Sequence, residues 1–215
     1  MLDTLTLLWQ QSRPFFVTNC VVLLVSLTII IERMIALQRY NISAEAFMNQ
    51  LIKFVREGQI DKARKLCAAA PNAALARVVK AGLDSSNRGE AEISAALEES
   101  MLEVTPLVSK RIPALFPLAN IATLVGLIGT ISGLIKSFRA LSNASPELKA
   151  TILATGISEA MNNTLFGLSI AVLCIALQLY LATRAKAMIE DIEFNAVKLE
   201  NILGRRIAGE AEAAA

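Results

Sequence analysis

The chain has 215 residues, 54% of them hydrophobic and 5% aromatic, with a formal net charge of +2 and no histidine. That apolar balance is high for a soluble domain and fits a chain with about a third of its residues facing lipid. The small net charge argues against nucleic-acid binding, and the lack of histidine removes the usual catalytic base and the commonest metal ligand.

The N-terminal segment 1–13 is short, and the first apolar run, FFVTNCVVLLVSLTIII, follows Pro14 and closes at Glu32-Arg33. With its flanks it is long enough to cross a bilayer, giving a transmembrane helix over 14–37. A cleaved signal would need basic residues ahead and a small-x-small site behind. Only Arg13 precedes the run and no such site follows, so a retained span is expected.

Region 38–111 reads as helices. Phe47, Leu51, Phe54 and Val55 recur at helical spacing from Ala44 to Glu57, and Gly58 ends that helix. Asp61 is the expected cap of a second helix reaching Cys67–Ala70, and Asn72 of a third over Ala73–Leu83. SSNRG is a loop, and from Glu90 a helical pattern runs on, with bends expected at Pro106, Pro113 and Pro117. The charges along these helices are those of a solvated face.

The second span is 112–135, closed by Lys136, and a link over 136–151 carries the turn signal Ser145-Pro146. So short a link forces an antiparallel hairpin with the third span, 152–183. Segment 184–215 follows, a helix with a GEAEAAA tail expected to fray.

Basic residues set the orientation. Twelve Lys and Arg lie between Arg33 and Arg111 and five follow the third span, against Arg13, Lys136, Arg139 and Lys149 on the other side. The N-terminus and the 136–151 link are therefore expected outside, in the periplasm, with 38–111 and 184–215 in the cytoplasm. The fold class is an all-α integral membrane protein, its three transmembrane helices extending into a cytoplasmic helical stem.

Glu159 is the one charged side chain of the third span, where a carboxylate costs on the order of a few kcal/mol and rarely persists without a task. Asn162, Asn163 and Thr164 give it polar company. Small or polar residues line one face of the second span (Ala122, Gly126, Thr130, Gly133, Ser137) and one face of the third (Gly156, Ala160, Asn163, Gly167, Ala171). Gly129 to Gly133 is a GxxxG step, and such faces let helix backbones approach closely in lipid. Thr164 turns away from Glu159 by about 140°, so the two threonines line a face that Glu159 flanks. Alternatives from the residues alone are tight helix packing without an ion path, threonines that bond their own helix, and a Glu159 that snorkels outward or pairs with Lys136. Cys20, Cys67 and Cys174 are scattered and odd in number, which disfavours a disulfide framework or zinc site. With no phosphate loop, dinucleotide turn or nucleophile elbow in the chain, enzyme chemistry is not expected.

GLIGTISG (Gly126 to Gly133) and GISEAMNNTLFGL (Gly156 to Leu168) resemble the second- and third-span motifs of the ExbB/TolQ/MotA proton-channel family. The similarity is nearer to the ExbB/TolQ branch, since no long soluble insertion of the flagellar type is present. The IIIER end of the first span and GQIDKARKLC share the family's character. The resemblance implies a membrane ring, typically a homopentamer, around two copies of an ExbD/TolR/MotB-like single-span partner with a transmembrane Asp. It implies an ion-driven motor of the bacterial inner membrane, coupling proton-motive force to movement of that partner for energised transport or envelope work. By position, Thr130 and Thr164 become pore-lining threonines facing the partner's Asp, and Glu159 the acidic residue beside the path. Gly126, Gly129, Gly133, Gly156, Asn163 and Gly167 become lining or packing positions. No cofactor and no nucleic acid are implied. The ion is expected to be H+, with Na+ left open by the extra oxygens of Asn162 and Asn163. The chain departs from the family at Ala122-Thr123 and near Leu173, where prolines are frequent. A structural adaptor without an ion path and a stand-alone ion channel are the rival readings.

Overall fold

A computed structural model describes residues 13–142 and 145–214. The described elements are α-helices and one short 3-10 turn. They are α1 (Arg13–Tyr40), α2 (Ala44–Arg56), α3 (Ile60–Ala69), α4 (Ala74–Asp84), α5 (Glu90–Ser109), the 3-10 turn Ile112–Ala114, α6 (Leu115–Ser142) and α7 (Pro146–Ala214). Three helical stretches, Pro14–Arg56, Glu90–Ser142 and Pro146–Ala208, are long and apolar enough to cross a membrane. The expected all-helical class with three apolar spans is therefore present. The chain divides into two compact units.

The first unit takes α1 as far as Glu32 together with Arg111–Tyr180. Its polarity is inverted relative to a water-soluble fold. Leu124, Leu127, Ile131, Met161, Leu165 and Val172 point outward, each at least half exposed, while Ala119, Ala122, Ala160 and Cys174 are fully buried. Lipid is as apolar as a leucine side chain, so burying large side chains between helices gains little there, and close backbone approach through small residues wins instead. Val22 of α1 joins Ala119, Ala122, Ile170, Ala171 and Cys174 in one apolar cluster, and Phe16 stacks on Phe166 with ring centroids 4.9 Å apart. Arg111, at a left-handed φ of 61°, pairs with Glu32.

The second unit takes Arg33–Lys110 and α7 from Leu181 onward. It has a conventional core, with Leu51, Val55, Ala63, Val78, Val79, Leu83 and Ile93 fully buried and Leu199 of α7 among them. Arg64 joins α3 to the end of α4, its Nε 3.0 Å from Asp84 and its Nη2 donating to the Leu83 carbonyl at 3.0 Å.

Several local expectations are corrected. The N-caps of α3 and α4 are Gln59 and Ala73, not Asp61 and Asn72, and neither makes a side-chain cap bond. Burial of Ala73 through Ala76 fixes where α4 starts, outweighing the preference for a polar cap. Pro106 lies inside α5, which continues to Ser109, and the break falls at Lys110-Arg111. Pro113 and Pro117 fall in the first turns of the 3-10 helix and of α6, where a missing N–H costs nothing. The tail expected to fray is helical as far as Ala214, as its Ala- and Glu-rich composition allows.

Candidate functional site at the α6–α7 seam

The seam lies wholly within the first unit, and its closest part sets glycine on one helix against backbone on the other. A Cβ placed on Gly126 would lie 3.1 Å from the Asn163 carbonyl oxygen and 3.3 Å from Thr164 Cα. One on Gly167 would meet the Ala122 carbonyl oxygen at 2.5 Å and Gly126 Cα at 3.1 Å. Gly129 faces the side chain of Asn163, Gly133 faces Ala160, and Gly156 faces Ser137. Glycine at 167 is thus a steric requirement of this crossing, since a side chain there would push the helices apart, while one at 126 would need the facing backbone to give by a few tenths of an ångström.

The close approach brings Thr130 and Thr164 together. Their hydroxyls are hydrogen-bonded to each other across the seam. Both also reach the carbonyl of Gly126, Thr130 Oγ1 at 3.1 Å and Thr164 Oγ1 at 3.3 Å. The bond from Thr130 is the ordinary return to a carbonyl four residues back. The bond from Thr164 crosses to the other helix, which a packing threonine does not need.

Two hydroxyl protons therefore have three contacts to serve, and the pattern can be dealt in more than one way. With Thr130 donating to Gly126 and Thr164 donating to Thr130, the lone pairs of Thr164 remain to accept. With Thr164 rotated away from Thr130, its proton is available to a third group. One hydroxyl pair can thus meet either a carboxylate or a carboxylic acid.

Glu159 is half-buried, one turn before Asn163 and beside Ala160, the residue that meets Gly133. Asn163 is 3% exposed and covers Gly129, whereas Asn162 is exposed. Among the described residues no cluster of His, Cys, Asp or Glu could hold a metal ion.

Asn19 of α1 is a site residue that reading the motifs did not find. Its side chain is 2% exposed, and its Nδ2 would stand 3.3 Å from a Cβ on Gly167. A signal was available in the sequence. Asn19 and Ser26, seven residues apart and so on one face of α1, are polar residues in an apolar run, and both are buried.

Comparison with known proteins bears on the same segment. The MotA/TolQ/ExbB proton channel family matches residues 70–194. An ExbB-like 3 protein of Synechocystis, described as a biopolymer transport protein, is 30% identical over 151 residues, covering 69% of this chain and 71% of its own. An ExbB homologue of Methanothermobacter thermautotrophicus, described likewise, is 28% identical over 120 residues, or 55% of this chain and 42% of its own. The Tol-Pal system protein TolQ of Haemophilus influenzae is 31% identical over 104 residues, or 48% of this chain and 45% of its own. The chain thus spans less than half the length of two of these three relatives. The family match covers more than half of the chain and includes both small-residue motifs, α6 and the membrane half of α7, and on that ground the chain belongs to the MotA/TolQ/ExbB proton channel family.

Proposed function

We propose that this chain is the ring subunit of an ion-driven motor of the bacterial inner membrane, with protons as the ion. Five copies surround two single-span partner helices, each carrying a protonatable transmembrane Asp. The N-terminus lies in the periplasm, and the second unit and the C-terminus lie in the cytoplasm. The supporting observation is the Thr130–Thr164 hydroxyl pair with its shared Gly126 carbonyl. A hydroxyl pair that can donate or accept is the lining needed beside a carboxyl group that changes protonation in each cycle. The chain performs no covalent chemistry in this reading. It holds the partner's carboxyl in a low-dielectric seam and releases it to the other side. Each charge crossing about 100 mV supplies about 2.3 kcal/mol, enough to bias a two-state helix arrangement.

Family membership and the three apolar helices support the ring and the membrane setting. Glu159 flanks the path and helps set the local field that the incoming proton meets.

Native mass spectrometry of the chain in mild detergent, alone and co-expressed with a single-span neighbour, tests the assembly. Five copies with two partner chains are expected, and a monomer or dimer that captures no such partner would favour a structural adaptor. Proton uptake by liposomes holding the complex separates a motor from a free channel. Flux that does not require the partner would make the chain a stand-alone channel.

A further inference from the structure

The second unit carries two faces of opposite character on opposite sides of α7. Between α5 and α7 runs a groove of about 440 Å³ whose floor is Leu97 and Met101 and whose carboxylates are Glu98, Glu193 and Glu200. Among the described residues no lysine or arginine lines it. Leu102, also lining it, is 71% exposed. Val197, on the same lining, is 51% exposed, and Phe194 beside it 68%. In the cytoplasm such residues form an apolar patch that water does not favour.

Between α2 and α7 lie two adjoining clefts bordered by Lys53, Arg56, Lys198, Arg205 and Arg206, with Glu57 among them. At about 100° per residue, α7 positions 193, 196, 197 and 200 centre roughly 180° from positions 198, 202, 205 and 206. One helix thus shows an acidic, apolar-floored side and a basic side facing away from it.

Two different, complementary patches on one subunit make a head-to-tail contact, and such a contact closes into a ring when the rotation per copy allows. The geometry points to the α5–α7 groove of one copy as the seat of the basic α2–α7 edge of the next copy, which covers Leu102 and Val197 and sets Glu98, Glu193 and Glu200 against Lys53, Lys198 and Arg205. The inference rests on the ring reading above and names the surface by which the cytoplasmic units join. The electrostatic match fixes which faces meet, and the covered apolar residues supply most of the attraction.

The test uses two differently tagged full-length chains co-expressed in one membrane, one carrying Leu102→Cys and the other Lys198→Cys, treated with a short bismaleimide. A mixed dimer is expected, at several times the yield that either substitution gives with the native cysteines alone. Adding Glu98→Lys and Glu193→Lys to the first chain should lower that yield several-fold. Adding Lys53→Glu and Arg205→Glu to the second chain as well should restore it. Native mass spectrometry of the same samples separates the two levels of failure. Intact rings without the mixed cross-link, or with a yield indifferent to charge reversal, overturn this surface while leaving the ring. A native chain that is monomeric overturns both.

Discussion

The hydroxyls of Thr130 and Thr164 are hydrogen-bonded across the α6–α7 seam and share one acceptor, the carbonyl oxygen of Gly126. Because the pair acts as a unit, removing either member should cost nearly as much as removing both. Thr130→Val and Thr164→Val are each expected to lower partner-dependent proton uptake by roughly tenfold or more, equivalent to about 1.4 kcal/mol. The double variant should fall little further. Strictly additive losses, or silent single variants, would show that the pair is only packing.

Gly167 is the tightest backbone-to-backbone point of the seam. Gly167→Ala must move the Ala122 carbonyl, which lies 2.5 Å from the new Cβ, whereas Gly133→Ala meets the methyl of Ala160 at 3.1 Å and no backbone atom nearer than 3.4 Å. Overpacking of this kind costs about 1–3 kcal/mol. Gly167→Ala should therefore lower the midpoint of thermal unfolding in detergent more than Gly133→Ala does.

Ser137 and Gly156 form a matched pair. An alanine at 156 would run into the Ser137 hydroxyl and stand 2.6 Å from Ser137 Cβ. Gly156→Ala alone should destabilise the seam, and Ser137→Gly in the same chain should recover most of the loss. Ser137→Ala should recover little, since it keeps the offending Cβ. Thermal unfolding of these three variants and the native chain in one detergent decides this.

Arg33 is 4% exposed and its Nη1 donates to the Leu107 carbonyl, in the last turn of α5, at 3.2 Å. Orphan carbonyls at a helix end are often met by such a basic side chain. Arg33→Met should leave that carbonyl unserved at a cost of about 1–3 kcal/mol. The expected readout is faster limited proteolysis between α5 and the 3-10 turn, with membrane insertion unchanged.

Cys67 lies in the second unit, 2% exposed, and burial, aided by the nearby Asp84 carboxylate, raises its thiol to about 11 from an ordinary 9.0. The folded state therefore holds its proton to a higher pH than the unfolded chain does. Stability from this group is fully present below about pH 9 and falls as pH rises towards 11. Alkylation of Cys67 at pH 8 should be slow in the folded protein and fast in denaturant, while Cys67→Ala should flatten the alkaline limb of the unfolding curve.

The sequence by itself determined the helical class, the three apolar runs and the two motifs that gave the family. It did so because backbone in lipid must bond within its own helix, so a long apolar run has few alternatives to a helix. Small-residue steps of three and four also fix which residues share a face, and they put Gly126, Gly133 and Ala160 on faces that then meet in the seam. Helix starts were less legible: the N-caps of α3 and α4 are Gln59 and Ala73, neither making a side-chain cap bond, and at α4 burial of Ala73 through Ala76 outweighs a cap worth about 1 kcal/mol. Only the tertiary structure decided which residues meet across helices. Spacing says nothing of the relative shift of two helices along their axes, and that shift is what sets Thr164 against both Thr130 and the Gly126 carbonyl. The same holds for Asn19: its polarity, with that of Ser26, marks a face of α1, but its place beside Gly167 depends on how α1 packs.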